Sequence, residues 1–526
     1  MFVEGDLGMT RRSQPILQII SFGVLLFIAV PLFYVAINVF TSPKGFLEYL
    51  LEQKTLMLAW NTILLAFSVT VASILIAVPL AIITLRSNLP LKRLVRVSLC
   101  IPLVFPSYIY GFLFILLFGP KGALYEVLKP IGIEKLPDLY GFWGAFLCLT
   151  LLSYPYIFIS VSSSLMKLDY TYEEVSSSLG KSLWHTYKKV IIPLLKPSIV
   201  VGAILVTLYV VSDFGAVSLL QYKSFSYVIY NQYETIQRSA AASTSSILIF
   251  IGLIAIWFYR PDSANMDLHR SSALIAREPK LIPLGRFKWI TILLIGSLIF
   301  LSVVLPVSVL ISWGYSFTTN YSEFFKFSSI YNSLYASFVG TLFTVLLSIP
   351  IAILITKHKN PFSKIIEKVS YIGFVLPGVV VALAVVYFGI NFAFAFYQTI
   401  VLLSIGYLIL FIPVSIGVIK PILSQINPKI EESAKILGAS NFKIWKTINF
   451  PAMMPGLTGA FAIVFILIMK ELPATLILSP LNFNTLATSI WTHATEASFG
   501  MAAVYSGILL FLTGLPMFVL LNKGIR

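Results

Sequence analysis

Charged side chains are scarce in this sequence. Asp, Glu, Lys and Arg make up 11% of its 526 residues, against about 25% in a typical soluble domain. Hydrophobic residues make up 58%, and the mean hydropathy is +0.92. This composition excludes an ordinary soluble protein and indicates a polytopic membrane protein. Cysteine is nearly absent too. Cys100 and Cys148, each in or beside an apolar run, form neither a disulfide framework nor a zinc ligand set.

Catalytic and nucleotide-binding motifs are also missing. No G-x-x-x-x-G-K-[ST] phosphate loop occurs, so the chain is not expected to bind ATP in the usual way. No Ser/His/Asp set or metal-ligand spacing stands out, and His493 with Glu496, one turn apart, is more typical of a solvated surface. We therefore expect a protein that is not an enzyme and that binds no cofactor of its own.

Long apolar runs dominate the sequence. Each is long enough, at 1.5 Å per helical residue, to cross a hydrocarbon core of about 30 Å. The sequence predicts an all-α membrane protein with twelve transmembrane helices, at residues 16–40, 57–85, 94–118, 141–165, 197–220, 243–260, 287–314, 330–356, 365–393, 397–420, 456–479 and 500–523.

The net charge of +16 is distributed unevenly between the loops. With the N-terminus inside, 28 of the 37 Lys and Arg residues fall in cytoplasmic segments. This bias follows the positive-inside rule and predicts that both termini are cytoplasmic. The basic charge therefore indicates membrane topology and a lipid environment, and not a nucleic-acid partner.

The two halves of the chain resemble each other. Asn61, Pro79 and Pro106 recur 271 residues later, and the offset becomes 258 further along. Six spans per half place both halves in the membrane in the same direction, as in parallel repeats. The predicted organisation is an N-terminal tail with the first helix (1–56), a first core (57–260), a cytoplasmic linker (261–286), the seventh helix with an outer loop (287–329) and a second core (330–526).

One polar segment, here called the doubled segment, occurs in both halves of the sequence. Its first copy is "EEVSSSLGKSLWHTYKKVIIPLLKP" (173–197) and its second is "EESAKILGASNFKIWKTINFPAMMP" (431–455). The sequence predicts for each copy a short helix, a break at Gly180 or Gly438, and a second short helix across the cytoplasmic mouth before a proline begins the next span. Four apolar side chains are expected to be exposed and to need a docking partner: Leu179, Trp184, Leu437 and Trp445.

These spacings resemble the "EAA" loop of ATP-binding-cassette importer permeases. The matching residues are Glu174, Gly180 and Pro193 in the first copy and Glu432, Gly438 and Pro451 in the second. The two alanines of the motif are replaced by Val175-Ser176 and Ser433-Ala434. The resemblance implies a type I importer permease fold in a prokaryotic inner membrane and ATPase coupling by these residues. It also implies a homodimeric ATPase, which uses ATP and Mg, and an external or periplasmic substrate-binding protein.

Three charged residues fall within predicted spans, where charges are costly and usually functional. They are Asp213 on the fifth span, and Lys470 and Glu471 on the eleventh. The two acids are 258 residues apart, so the sequence places them at equivalent positions. We expect them either to face the substrate pathway or its gate, or to form a structural ion pair with Lys470.

The stretches around these acids resemble ferric-iron importer permeases, many of which are fused twelve-span chains. The resemblance implies transport of ferric iron. Two alternatives stay open: a permease for another small solute such as thiamine, and a twelve-span secondary transporter driven by an ion gradient.

Overall fold

A computed structural model describes residues 13–41, 43–119, 122–132, 138–168, 170–235, 238–257, 281–318, 326–357, 361–374 and 376–524. Within these ranges the regular structure is helical, apart from one isolated bridge between Ser87 and Ile282. The predicted all-α class is confirmed. The first twelve residues of the N-terminal tail and residues 261–280 of the predicted linker lie outside the described residues.

The α-helices of the described residues, in chain order, are α1 (Ser13–Thr41), α2 (Pro43–Leu51), α3 (Gln53–Arg86), α4 (Lys92–Cys100), α5 (Ser107–Phe118), α6 (Ala123–Leu128), α7 (Phe142–Lys167), α8 (Thr171–Ser178), α9 (Leu183–Thr186), α10 (Ile192–Ser212), α11 (Gly215–Leu219), α12 (Phe225–Glu234), α13 (Arg238–Trp257), α14 (Lys288–Ile299), α15 (Leu305–Thr318), α16 (Ser328–Lys357), α17 (Pro361–Ser370), α18 (Gly378–Phe392), α19 (Ile400–Gln425), α20 (Pro428–Ile436), α21 (Asn441–Ile444), α22 (Phe450–Met469), α23 (Pro473–Leu478), α24 (Leu486–Thr495) and α25 (Phe499–Gly524).

The apolar helices follow the predicted order of spans. Among the described residues, nine continuous helices are long and apolar enough to cross a membrane. A tenth candidate is the bent pair Pro361–Gly373 and Gly378–Phe392, whose two parts meet at 110°. Two shorter apolar helices, Ala240–Gly252 and Phe499–Gly514, lie where the sixth and twelfth spans are predicted. Helices suit this role because each satisfies its own backbone groups away from water.

The two halves repeat the same helical core. Helices α3, α7 and α10 pack against one another, and α16, α19 and α22 do the same. Pro79 lies inside α3, and its repeat Pro350 lies inside α16. Thr62 Oγ1 accepts a hydrogen bond from Phe225 N–H at 3.1 Å, and Ser333 Oγ accepts one from Leu486 N–H. These bonds fix the first residue of α12 and of α24, so the duplication extends to individual contacts.

The chain forms two compact units that do not coincide with its two halves. One unit comprises Met1–Phe46, Phe324–Trp491 and Leu515–Met517. The other comprises Leu47–Glu323, Thr492–Gly514 and Phe518–Arg526. Each unit therefore contains one core of the repeat and helical segments from the opposite half of the chain: α1 in the first-mentioned unit, and α14, α15 and most of α25 in the other.

The first and seventh spans show this exchange in their contacts. In the first-mentioned unit, Val24 and Ile28 of α1 are buried in an apolar cluster with Ile351 of α16 and Leu408 of α19. In the other unit, α15 packs on α5, and Tyr110 of α5 donates a hydrogen bond at 3.1 Å to the carbonyl oxygen of Ser302, between α14 and α15. Sequence adjacency alone would have assigned each helix to its own half.

Candidate functional site

The first half of each copy of the doubled segment is a short helix closed by a glycine. Helix α8 ends at Ser178 and α20 at Ile436, and two residues later Gly180 and Gly438 have φ values of +69° and +79°. Gly180 N–H bonds to the carbonyl of Ser177 at 2.9 Å, and the following N–H bonds to the carbonyl of Ser176 at 3.1 Å. The second copy has the same two bonds at 2.9 and 3.0 Å. This is a Schellman cap, which requires a left-handed residue after the helix.

The second half of each copy differs from the prediction. The helix that begins at Leu183 does not stop before the membrane span but continues through a π-helical turn, Tyr187–Ile191, into α10. The second copy does the same through Trp445–Asn449 into α22. The expectation of a separate short helix before Pro193 or Pro451 is therefore wrong, since both prolines lie in the first turn of a continuing helix.

A proline follows each π turn of the described residues. Proline lacks an N–H, and its ring clashes with the carbonyl four residues earlier in an α-helix. Each π turn ends two residues before Pro193 or Pro451, and a third, Phe300–Val304, ends two residues before Pro306. The wider turn moves the local bonds to five-residue spacing and accommodates the ring.

The exposed apolar residues of the two copies are equivalent pairs. Leu179 and Leu437 are 71% and 85% exposed, and Trp184 and Phe442 are 75% and 72% exposed. Both pairs are 258 residues apart. Trp445, which the sequence predicted to be exposed, is half-buried, and its ring lies 5.2 Å from that of Phe450. The aromatic residue that corresponds to Trp184 is thus Phe442, because Trp445 belongs to the π turn.

Each copy begins with two glutamates that face different ways. Glu174 and Glu432, the predicted coupling residues, are exposed. The preceding residues are half-buried and paired: Glu173 with Arg86 and Glu431 with Lys357. None of these four residues was predicted from the sequence to be a site residue. The repeat contained the signal, because the two basic residues are 271 apart and the two acids 258 apart.

The two membrane acids cap short helices. Helix α10 ends at Ser212, and Asp213 Oδ1 accepts hydrogen bonds from the N–H groups of Ala216 at 3.0 Å and Val217 at 3.3 Å. Helix α22 ends at Met469, and Glu471 Oε1 accepts a bond from Ala474 N–H at 3.1 Å. The sequence placed each acid within the fifth span of its half, whereas the helix ends before each acid and the chain then starts α11 or α23.

The residues facing the two acids compensate for their difference in length. The Ser107 side chain hydrogen-bonds the Asp213 carboxylate. The residue 271 positions later is Gly378, and a Cβ placed there would lie 2.6 Å from Glu471 Oε1. The longer acid therefore occupies the space of the missing side chain.

The relation between Asp213 and the Lys470–Glu471 pair stays a prediction. Asp213 is buried in one compact unit, whereas Lys470 and Glu471 are half-buried in the other. Across the part of the chain that the structure describes, no group of three His, Cys, Asp or Glu residues is arranged to hold a metal ion. What the geometry gives is one acid cap at each of two equivalent helix breaks.

The chain is similar in sequence to known transport permeases. The chain is 32% identical over 484 residues to the Fe(3+)-transport system permease protein FbpB 2 of Haemophilus influenzae, covering 90% of this chain and 91% of that protein. It is 22% identical over 543 residues to the ferric transport system permease protein FbpB of Actinobacillus pleuropneumoniae, covering 97% and 77%. The molybdenum transport system permease protein ModB of Mycobacterium bovis is 30% identical over 200 residues, covering 36% of this chain and 71% of that protein.

The family model for the inner membrane component of binding-protein-dependent transport systems matches the chain twice, at residues 73–260 and 345–523. Each match contains the end of the first core helix, α3 or α16, the other two core helices, one copy of the doubled segment and one acid cap. The chain is thus a multi-pass membrane permease of the ATP-binding-cassette importer type and not an enzyme. It belongs to the family of binding-protein-dependent transport system inner membrane components.

Proposed function

We propose that this chain is the transmembrane permease of an ATP-driven importer for ferric iron, and that both copies of the doubled segment dock on ATPase subunits. The observation that carries the proposal is the doubled pair of exposed apolar residues beside a Schellman-capped glycine. Two equivalent surfaces on one chain suit two equivalent partners. Ferric iron as cargo is supported by the two permeases with ferric transport in their names, each covering at least 90% of this chain.

The docking surface consists of Leu179 with Trp184 in the first copy and Leu437 with Phe442 in the second. Large apolar side chains that are more than two thirds exposed in a polar segment favour burial against another protein. An aromatic residue seated in a partner's pocket is the usual anchor of such an interface. Glu174 and Glu432 lie beside these anchors and offer a negative charge to a basic partner group.

The remaining parts of the importer are separate proteins in this proposal. A homodimeric ATPase on the cytoplasmic side binds ATP and Mg, and a substrate-binding protein delivers ferric iron on the other side. The charge bias of the loops supports a cytoplasmic position for both termini and for both copies. Closure of the ATPase dimer would displace the docked copies and switch the access of the pathway.

A docking test compares two kinds of glycine variant. Gly180→Val with Gly438→Val forces a β-branched residue into the left-handed region and should distort both caps. We expect the ATPase no longer to co-purify and iron uptake to be lost. Gly132→Val is the control, because Gly132 has φ +90° and open space around it but lies outside the doubled segment.

Normal uptake by the doubly substituted chain would reject the docking role. If the wild-type chain takes up iron normally without any ATPase, and this uptake stops when the ion gradient across the membrane is dissipated, the chain would be a secondary transporter instead. Uptake of thiamine or molybdate in place of ferric iron would keep the fold and the docking role but replace the cargo.

A further inference from the structure

We propose that Arg86 and Lys357 are positioning residues that form two struts, each tying one copy of the doubled segment to the first helix of its own core, α3 or α16. The strut pairs are Arg86–Glu173 and Lys357–Glu431. Through them, displacement of a docked copy moves the end of α3 or α16 directly. This inference rests on the proposed docking function.

The first strut is centred on a buried guanidinium. Arg86 is the last residue of α3, its side chain is 3% exposed, and its Nε lies 3.3 Å from Glu173 Oε1. The guanidinium donates to the carbonyl oxygens of Leu165 at 3.2 Å and Leu168 at 3.1 Å. It also lies 3.6 Å from the ring centroid of Tyr170. One side chain thus joins α3, the end of α7 and the start of α8.

The second strut has the same place in the repeat. Lys357 is the last residue of α16, and its ammonium donates a hydrogen bond to Glu431 Oε1 in α20. The basic residue changes from Arg to Lys between the halves while the charge is kept. Two pairs at equivalent positions, in two separately packed units, are unlike a chance surface ion pair, which contributes little.

Helices α8 and α20 each present one glutamate to the core and the next one to the outside. Successive residues of an α-helix point about 100° apart. Glu173 and Glu431 therefore face the core, while the next residues, Glu174 and Glu432, face outward. Because all four belong to α8 or α20, a force on the outward face is transmitted to the inward face without a flexible joint.

The first strut also meets the end of the linker. The Ile282 N–H bonds to the carbonyl of Arg86 at 2.8 Å, and Asn88 N–H bonds to the carbonyl of Ile282 at 3.1 Å. The residue that holds Glu173 through its side chain thus holds the chain leading to α14 through its backbone. Movement of the end of α3 is expected to reach the seventh span through this contact.

The test neutralises both acids in the complete importer. The chain carrying Glu173→Gln and Glu431→Gln is assembled with its ATPase and binding protein in liposomes. Ferric iron uptake and ATP hydrolysis are then measured in the same sample. We expect the ATPase to remain bound and ATP hydrolysis to stay within about twofold of wild type. The iron moved per ATP should fall about tenfold, a ratio typical of coupling between sites.

Glu367→Gln is the matched control. Glu367 forms a similar half-buried pair with Lys420, between α17 and α19 and outside the doubled segment. This variant should couple as wild type does. An equal fall in iron moved per ATP would show a general effect of losing an ion pair, and would overturn the proposal.

A charge exchange in the second strut covers the case in which the neutral chain does not accumulate. Lys357→Glu and Glu431→Lys should each uncouple transport, and the two together should restore it. Failure of the exchanged pair to restore coupling, or full coupling in the neutral chain, would overturn the struts. A wild-type chain that binds no ATPase would instead reject the docking function itself.

Discussion

Exchanging the residues around the Glu471 cap for those of the other half tests how the two caps are built. In wild type, Gly378 leaves room for the Glu471 carboxylate, and its Cβ would stand 2.6 Å from Oε1. Gly378→Ser fills that room. Because a carboxylate is the mobile end of its side chain, we expect it to swing away and release the N–H of Ala474.

The magnitude follows from the lost cap. Losing a helix cap costs about 0.5–2 kcal/mol, so Gly378→Ser should lower the free energy of unfolding by about 1–2 kcal/mol. Glu471→Asp alone should cost about 1 kcal/mol, because the shorter carboxylate leaves the space beside Gly378 empty and lacks the hydrogen bond that Ser107 gives to Asp213. The double variant reproduces the Ser107–Asp213 arrangement, and we expect its cost to be smaller than the sum of the two.

The assay is reversible unfolding in mixed micelles titrated with a denaturing detergent, and the two single variants and the double variant form one cycle. The interaction energy should be about 1 kcal/mol or more in favour of the double variant. Gly417→Ser is the control, since a Cβ at Gly417 in α19 meets no atom within 4 Å. Additive costs, within about 0.5 kcal/mol, would refute the compensation between residue 378 and the acid.

Three further predictions concern docking, topology and the acids. Trp184→Ala and Phe442→Ala should each weaken ATPase binding about tenfold or more, as loss of an aromatic anchor does. The control Trp143→Ala removes a ring that is 66% exposed at the start of α7 and should leave ATPase binding unchanged. Equal ATPase binding by all three variants would contradict the assigned docking surface. A membrane-impermeant thiol reagent should label Ser177→Cys only from the cytoplasmic side and Glu52→Cys only from outside. The native Cys100 and Cys148 are buried and should not be labelled. Labelling of both introduced cysteines from the same side would overturn the topology. Asp213→Asn keeps an oxygen that accepts from the Ala216 N–H, so this variant should assemble normally and take up more iron than Lys470→Ala does. Asp213→Leu leaves buried N–H groups unpaired and should reduce the amount of folded chain. If Asp213→Asn assembles normally but takes up no iron, the carboxylate binds the cargo.

The sequence by itself determined the class, the order of the spans and the duplication. Apolar runs of about 20 residues have to become helices in a membrane, because every backbone group must be satisfied internally. The glycines and prolines of the doubled segment act through local geometry, and so their spacing predicted the caps at Gly180 and Gly438. These features depend on neighbours a few residues away, which the sequence contains.

Tertiary packing decided the rest. The sequence did not show that α1 packs in the unit of the second core, because an almost entirely apolar helix has no residues that specify which helices it packs against. It singled out Glu174 by its motif but did not show that Glu173 is paired, since both acids suit the first turn of a helix and only the distant Arg86 draws Glu173 inward. It placed Asp213 inside a span that in fact ends at Ser212, where the carboxylate that caps α11 also bonds to Ser107, far away in the chain. Each of these choices is made by contacts between segments far apart in the chain, and the folded structure is where those contacts first exist.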